Sequence, residues 1–85
     1  MNPELETLDQ LLGGDLPLTV IRSLFDDDSR FARAIRMMLD DGEVQLLTSD
    51  GDKVERWRWP DVLAPMADKS GYRLDITSLG AKRIG

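Results

Sequence analysis

An α+β fold is what this sequence predicts, with helices filling the first half and antiparallel strands the second. Three observations predict it. Apolar residues recur at helical spacing over 3–12 and again over 29–40. They alternate on both sides of an Asp50-Gly51 pair between 43 and 59, and Tyr72, Leu74 and Ile76 alternate once more. The expected architecture has three main helices, a two- or three-stranded antiparallel sheet and a short C-terminal helix. All of it belongs to a single domain, 1–85, because 85 residues are too few for two cores.

The first helix opens at Asn2, a good N-cap, with Pro3 in the first helical position and Glu4 and Glu6 in the first turn. Leu5, Leu8, Leu11 and Leu12 form its apolar stripe, and Gly13-Gly14 ends it. Asp15 to Thr19 is a connector with room for a brief extended piece. Val20, Ile21, Leu24 and Phe25 repeat at helical spacing, which predicts a short second helix over 17–25, although Thr19-Val20-Ile21 is a β-branched run.

Asp28 or Ser29 is the expected cap of the third helix, 29–40. On a helical wheel Phe31, Ile35, Met38 and Leu39 fall within about 100° of one another, and Arg30, Arg33 and Arg36 span the opposite side. Gly42 closes the helix. "EVQLLTS-DGDK-VERWRW" then reads as a β-hairpin. An even loop, Asp50-Gly51 or Asp50 to Lys53, places Val44 and Leu46 on one face with Trp57 and Trp59, burying both tryptophans. Arg56 and Arg58 then share the outer face and form a basic ridge with Arg73 if the strands pair. Pro60 is expected to end the second strand. One helical turn at 61–64 stopped by Pro65, a third strand at 72–76, and a last helix capped by Thr77 or Ser78 and packing Leu79 and Ile84 on the core complete the reading.

Composition narrows the function. With 41% hydrophobic and 32% charged residues the chain belongs with folded globular domains rather than disordered ones. No apolar run approaches the length of a membrane span, and "MNPELETLDQ" lacks the basic and apolar regions of a signal peptide. Cysteine is absent, so a cytoplasmic location is expected. Histidine is absent as well, which excludes the common nucleophile–base pairs and imidazole metal sites. The expectation is a protein without catalysis and without a cofactor. The clusters "DDDS", "DDGE" and "DGD" do not have the ligand spacing of a calcium loop and read as a cap, a helix end and a turn.

The net charge of −5 is uneven: residues 1–28 hold seven acids against Arg22 alone, residues 29–58 balance, and residues 59–85 carry a slight basic excess. An acidic chain loses non-specific attraction to a polyanion, though a local basic surface remains possible on the arginine face. Local pairs compete for that face: Arg36 stands i,i+4 from Asp40, and Arg30 can fold back to Asp26 or Asp27.

The order helix, helix, turn, helix, hairpin resembles the winged helix-turn-helix superfamily. The resemblance rests on Ser29, Phe31, Ile35, Met38, Asp40-Asp41, Gly42 and Val44, and on "YRLDITSLGAKRI" with Ile76, Thr77 and Gly80. It covers residues 17–84. It implies a transcription regulator whose helix 29–40 enters the major groove of double-stranded DNA, with Ser29, Arg30, Arg33, Arg36 and Met37 as reading positions. The hairpin tip, Asp50 to Lys53, is then the wing, and Lys53 its only cation. A homodimer is the expected way to gather enough contacts. The acidic first third and the acidic wing point instead to a protein-interaction module of the same fold that meets a basic partner without binding DNA.

Overall fold

The structure, a computed structural model, describes residues 2–84. It opens with α1 (Pro3–Leu11), in which the Asn2 side-chain oxygen accepts the Glu4 N–H at 2.8 Å. Leu8 and Leu11 are fully buried, whereas Leu5 and Leu12 are 39% and 53% exposed. Thr7 accounts for the split. It is buried too, its hydroxyl donating to the Pro3 carbonyl at 2.7 Å, so the buried stripe runs through Thr7, Leu8 and Leu11. The other two leucines fall roughly 100° to its side.

Next come β1 (Leu16–Pro17), the brief extended piece, and α2 (Leu18–Arg22). α2 is shorter than the expected 17–25. Its β-branched run propagates a helix poorly, and the chain beyond Arg22 tightens: Leu24 N–H donates to the Ile21 carbonyl at 3.0 Å and Phe25 N–H to the Arg22 carbonyl at 3.1 Å.

α3 (Asp28–Asp40) is capped by Asp27, one residue before the expected position, whose carboxylate accepts the Arg30 N–H at 2.8 Å. Asp28 lies inside the first turn and pairs with Arg22 at 2.6 Å, tying α3 to α2. Phe31, Ile35, Met38 and Leu39 are all buried, joined by Ala34, and Phe25 meets Phe31 edge-on with centroids 5.7 Å apart. Gly42, at φ 74°, closes the helix: its N–H reaches the Leu39 carbonyl and the Glu43 N–H reaches Met38, a closure that needs a left-handed residue.

β2 (Val44–Thr48) and β3 (Tyr72–Ile76) pair antiparallel, Val44 opposite Ile76 and Leu46 opposite Leu74. β1 lies on the other side of β3, Leu16 opposite Leu74, so the sheet order is β1-β3-β2. The fold is therefore α+β, with five α-helices and a three-stranded antiparallel sheet among the described residues.

The expected hairpin partner of β2 is corrected. Only its tip forms: Gly51 turns at φ 92°, and one bridge joins Leu47 to Lys53. That register sets Val54, not a tryptophan, beside Leu46, with the Val54 N–H donating to the Leu46 carbonyl at 2.9 Å. Beyond Val54 the chain leaves the sheet as a 3-10 turn, Arg56–Arg58, and α4 (Trp59–Leu63). Pro60 sits in the first turn of α4, where its missing N–H costs nothing; in a strand it would have broken the ladder. Trp57 is 72% exposed, and only Trp59 packs on the core, its indole N–H donating to the Val54 carbonyl at 3.2 Å. Val62 and Leu63 of α4 are buried.

α5 (Ser78–Ile84) begins as expected, with the Thr77 hydroxyl accepting the Gly80 N–H at 3.2 Å. The same hydroxyl donates to the Gly42 carbonyl, and Arg83 holds the buried Glu43 carboxylate at 2.7 and 2.9 Å. Ile84 packs against the core, but Leu79 is 56% exposed, because the inward position belongs to Gly80. A Cβ there would overlap the Glu43 carbonyl oxygen.

Candidate functional site

α3 is the element that presents the sequence-predicted site. Ser29, Arg30, Arg33 and Met37 are exposed along it, Arg36 is half-buried, and Lys53 is exposed at the β2 turn. The arginines are not equivalent. Arg30 lies 3.9 Å from Asp26 and 3.8 Å from Asp27, as its spacing suggested. Arg36 lies 3.4 Å from Asp40 and stacks over Trp59 at 5.5 Å. Arg56 approaches the same indole at 5.2 Å and binds Asp40 at 2.7 Å. Arg36, Arg56, Asp40 and Trp59 thus form one cluster that fastens the segment after β2 onto α3. Among the described residues, Arg33 is the one arginine of α3 without an ion pair.

The expected ridge of Arg56, Arg58 and Arg73 does not assemble. Arg56 turns to Asp40, Arg58 donates to the Tyr72 hydroxyl at 3.1 Å, and Arg73 binds Asp15 at 2.6 Å. The cause is the departure of residues 56–59 from the sheet. Beside Lys53, the turn carries exposed Asp50 and Asp52.

The acidic first third is sorted in the same way. Of its seven acids, Glu4 pairs with Arg83, Asp15 with Arg73, Asp26 and Asp27 with Arg30, and Asp28 with Arg22. Glu6 and Asp9 alone have no ion pair among the described residues. Both border a trough of about 410 Å³ between α1 and α5, lined also by Leu5, Ile84 and Arg83, the last already engaged by Glu43 and Glu4. Exposed Leu12 continues the outer face of α1 one heptad beyond Leu5.

Two features escaped the sequence reading. Lys69, placed in a loop, is 7% exposed; its ammonium donates to the Ala64 and Ala67 carbonyls at 3.0 and 3.3 Å and faces the Phe31 ring at 5.7 Å. The Asp68 carboxyl is held below the usual aspartate range because the Ser70 hydroxyl and then the Ser70 N–H donate to it. No sequence signal marks Lys69; Asp68 to Ser70 could have been read as a side-chain-closed turn.

Among the described residues no group of three or more acidic side chains is placed to hold a metal ion, and no helix is long and apolar enough to cross a membrane. Comparison with known proteins returns no matching protein-family model, no matching curated protein and no matching solved structure.

Proposed function

We propose that this chain is a winged-helix-type protein-interaction module that meets a basic partner through the outer face of α1. Support for the winged-helix reading comes from chain order: α1, β1, α2, a turn, α3, then β2 and β3, with β3 between the other strands. The single observation that carries the function is the location of Glu6 and Asp9. Among the described residues they are the two carboxylates of the first third without an ion pair, and they flank exposed apolar surface at Leu5, beside an Arg83 already engaged by Glu43 and Glu4. Charge at the rim of an apolar patch steers an oppositely charged partner, and the apolar floor supplies the burial that holds it.

Anisotropy of a fluorescein-labelled peptide alternating leucine with lysine tests this. Binding is expected, and the double variant Glu6→Lys, Asp9→Lys weakens it by about tenfold or more, worth ~1.4 kcal/mol. Equal affinity in the variant refutes the reading.

Double-stranded DNA is the second reading, favoured by one observation: Ser29, Arg30, Arg33 and Met37 stand exposed in a line on α3. Three phosphate contacts, from Arg30, Arg33 and Lys53, imply a roughly 40-fold affinity loss between about 50 and 200 mM salt. A duplex titration showing that slope, abolished by Arg33→Glu, establishes DNA binding in place of the first reading.

A further inference from the structure

We infer that the groove between α3 and α4 is a second, separate docking site, which takes a short acidic peptide carrying an apolar side chain. The groove has a volume of about 470 Å³, in the range of sites that enclose a few side chains. Its floor is apolar, made by Ala32 of α3 and by Leu63 and Ala64 at the end of α4, and Pro60 and Pro65 form its walls. Two prolines bracketing one helical turn leave little backbone freedom to lose, so the groove is preorganised. The rim is cationic. Arg33 lines it and has no ion-pair partner among the described residues; Arg36, beside it, is already engaged by Asp40 and Trp59. One uncommitted guanidinium over an apolar floor is complementary to one carboxylate next to one apolar side chain.

Nucleic acid fits this groove poorly. Its walls and floor offer no row of donors to a phosphate backbone, and a single guanidinium neutralises too little charge. Base stacking needs an open aromatic face, and the nearby Trp59 ring has two guanidiniums over it. Lys69, bound to the Ala64 carbonyl and facing Phe31, and Trp59, stacked under Arg36, hold α4 against α3, so the groove exists without a ligand.

The test uses the full chain, labelled with nitrogen-15, and a short capped peptide alternating glutamate with leucine. Amide shifts are expected to cluster at Ala32, Arg33, Leu63 and Ala64. Exposed Arg33 can be changed without touching the core: Arg33→Glu is expected to weaken this peptide about tenfold and to let the lysine–leucine peptide shift the same four amides. Failure of the lysine–leucine peptide at α1 leaves this outcome untouched, so the two sites are judged separately. Shifts elsewhere, unchanged affinity in Arg33→Glu, or no groove shifts up to the peptide's solubility limit overturn the assignment. So does concentration-dependent self-association lost in Arg33→Glu, which gives the groove to a second copy of the chain.

Discussion

Gly80→Ala is the sharpest perturbation of this fold, because intrinsic propensity and packing pull in opposite directions. Residue 80 lies inside α5, where alanine is preferred over glycine by about 1 kcal/mol. On propensity alone the variant is more stable. The structure predicts the reverse. A Cβ at residue 80 would run into the Glu43 carbonyl oxygen and press on an Ile76 side-chain carbon at 2.8 Å. Ile76 can shift, but the Glu43 carbonyl cannot rotate away: it accepts the Thr77 N–H at 3.0 Å and belongs to the turn closed by Gly42. Relief requires α5 to move outward, which loosens the Thr77 hydroxyl from Gly42 and Arg83 from Glu43. Overpacking of this sort costs about 1–3 kcal/mol, and weakening a half-exposed charge-assisted clasp adds about 1 kcal/mol. The net expectation after the propensity gain is a loss of about 2 kcal/mol, or a melting temperature lower by roughly 8–16 °C in a domain this small. Urea and thermal unfolding followed by circular dichroism measure both. Gly71→Ala is the control, since nothing lies within 4 Å of its Cβ and its backbone is not left-handed; it should be neutral or slightly stabilising. A Gly80→Ala protein as stable as the parent refutes the close approach of α5 to Glu43.

Three other outcomes follow from particular side chains. Trp57, 72% exposed, should be quenched efficiently by iodide and Trp59 weakly, and fluorescence of the single-tryptophan variants Trp57→Phe and Trp59→Phe reads this directly; equally weak quenching of both would restore the buried pair. Lys69→Met keeps the buried stem but removes the ammonium from two carbonyls, and chemical denaturation should show a loss of about 1–2 kcal/mol; a neutral result means the ammonium is not engaged. The Asp68 carboxyl, lowered by the Ser70 donors, should titrate below the ordinary ~3.9 in a carbon-13 pH series and rise in Ser70→Ala. Because its folded value is depressed, its contribution is present above the unfolded value and lost as pH falls through the folded one; coincident titration with free aspartate removes the argument.

The helical half was legible because its signals are local. The Asn2 cap, the Phe31–Ile35–Met38–Leu39 stripe and the Gly42 stop each depend on neighbours within a few residues, and the Thr77 cap of α5 follows the same rule. "VERWRW" misled because alternation reports a candidate strand without naming its partner. β3, far along the chain, took the place beside β2. Helical geometry then separated the two tryptophans. Residues i and i+2 share a face in a strand but point to different sides of a 3-10 or α-helical turn, so Trp59 went in and Trp57 out. At the candidate site the arginine face and its i,i+4 partners were visible in sequence. The bond from Arg56 to Asp40, the clasp of Lys69 and the isolation of Arg33 were not, since each depends on where residues 49–71 fold back.

The position of β3 has one more consequence. Among the described residues β1 and β2 never touch: β1 pairs only with β3, and β2 pairs with β3 and otherwise makes just the single bridge to Lys53. A nascent chain that has not reached residue 76 can form α1 and α3 as amphipathic helices, but β1 then has no strand partner and β2 has only the hairpin tip at Lys53 and Val54. Assembly must wait for the C-terminal third and then proceed in one cooperative step. Proteolytic loss of that third would leave apolar helices without a sheet rather than a smaller stable domain.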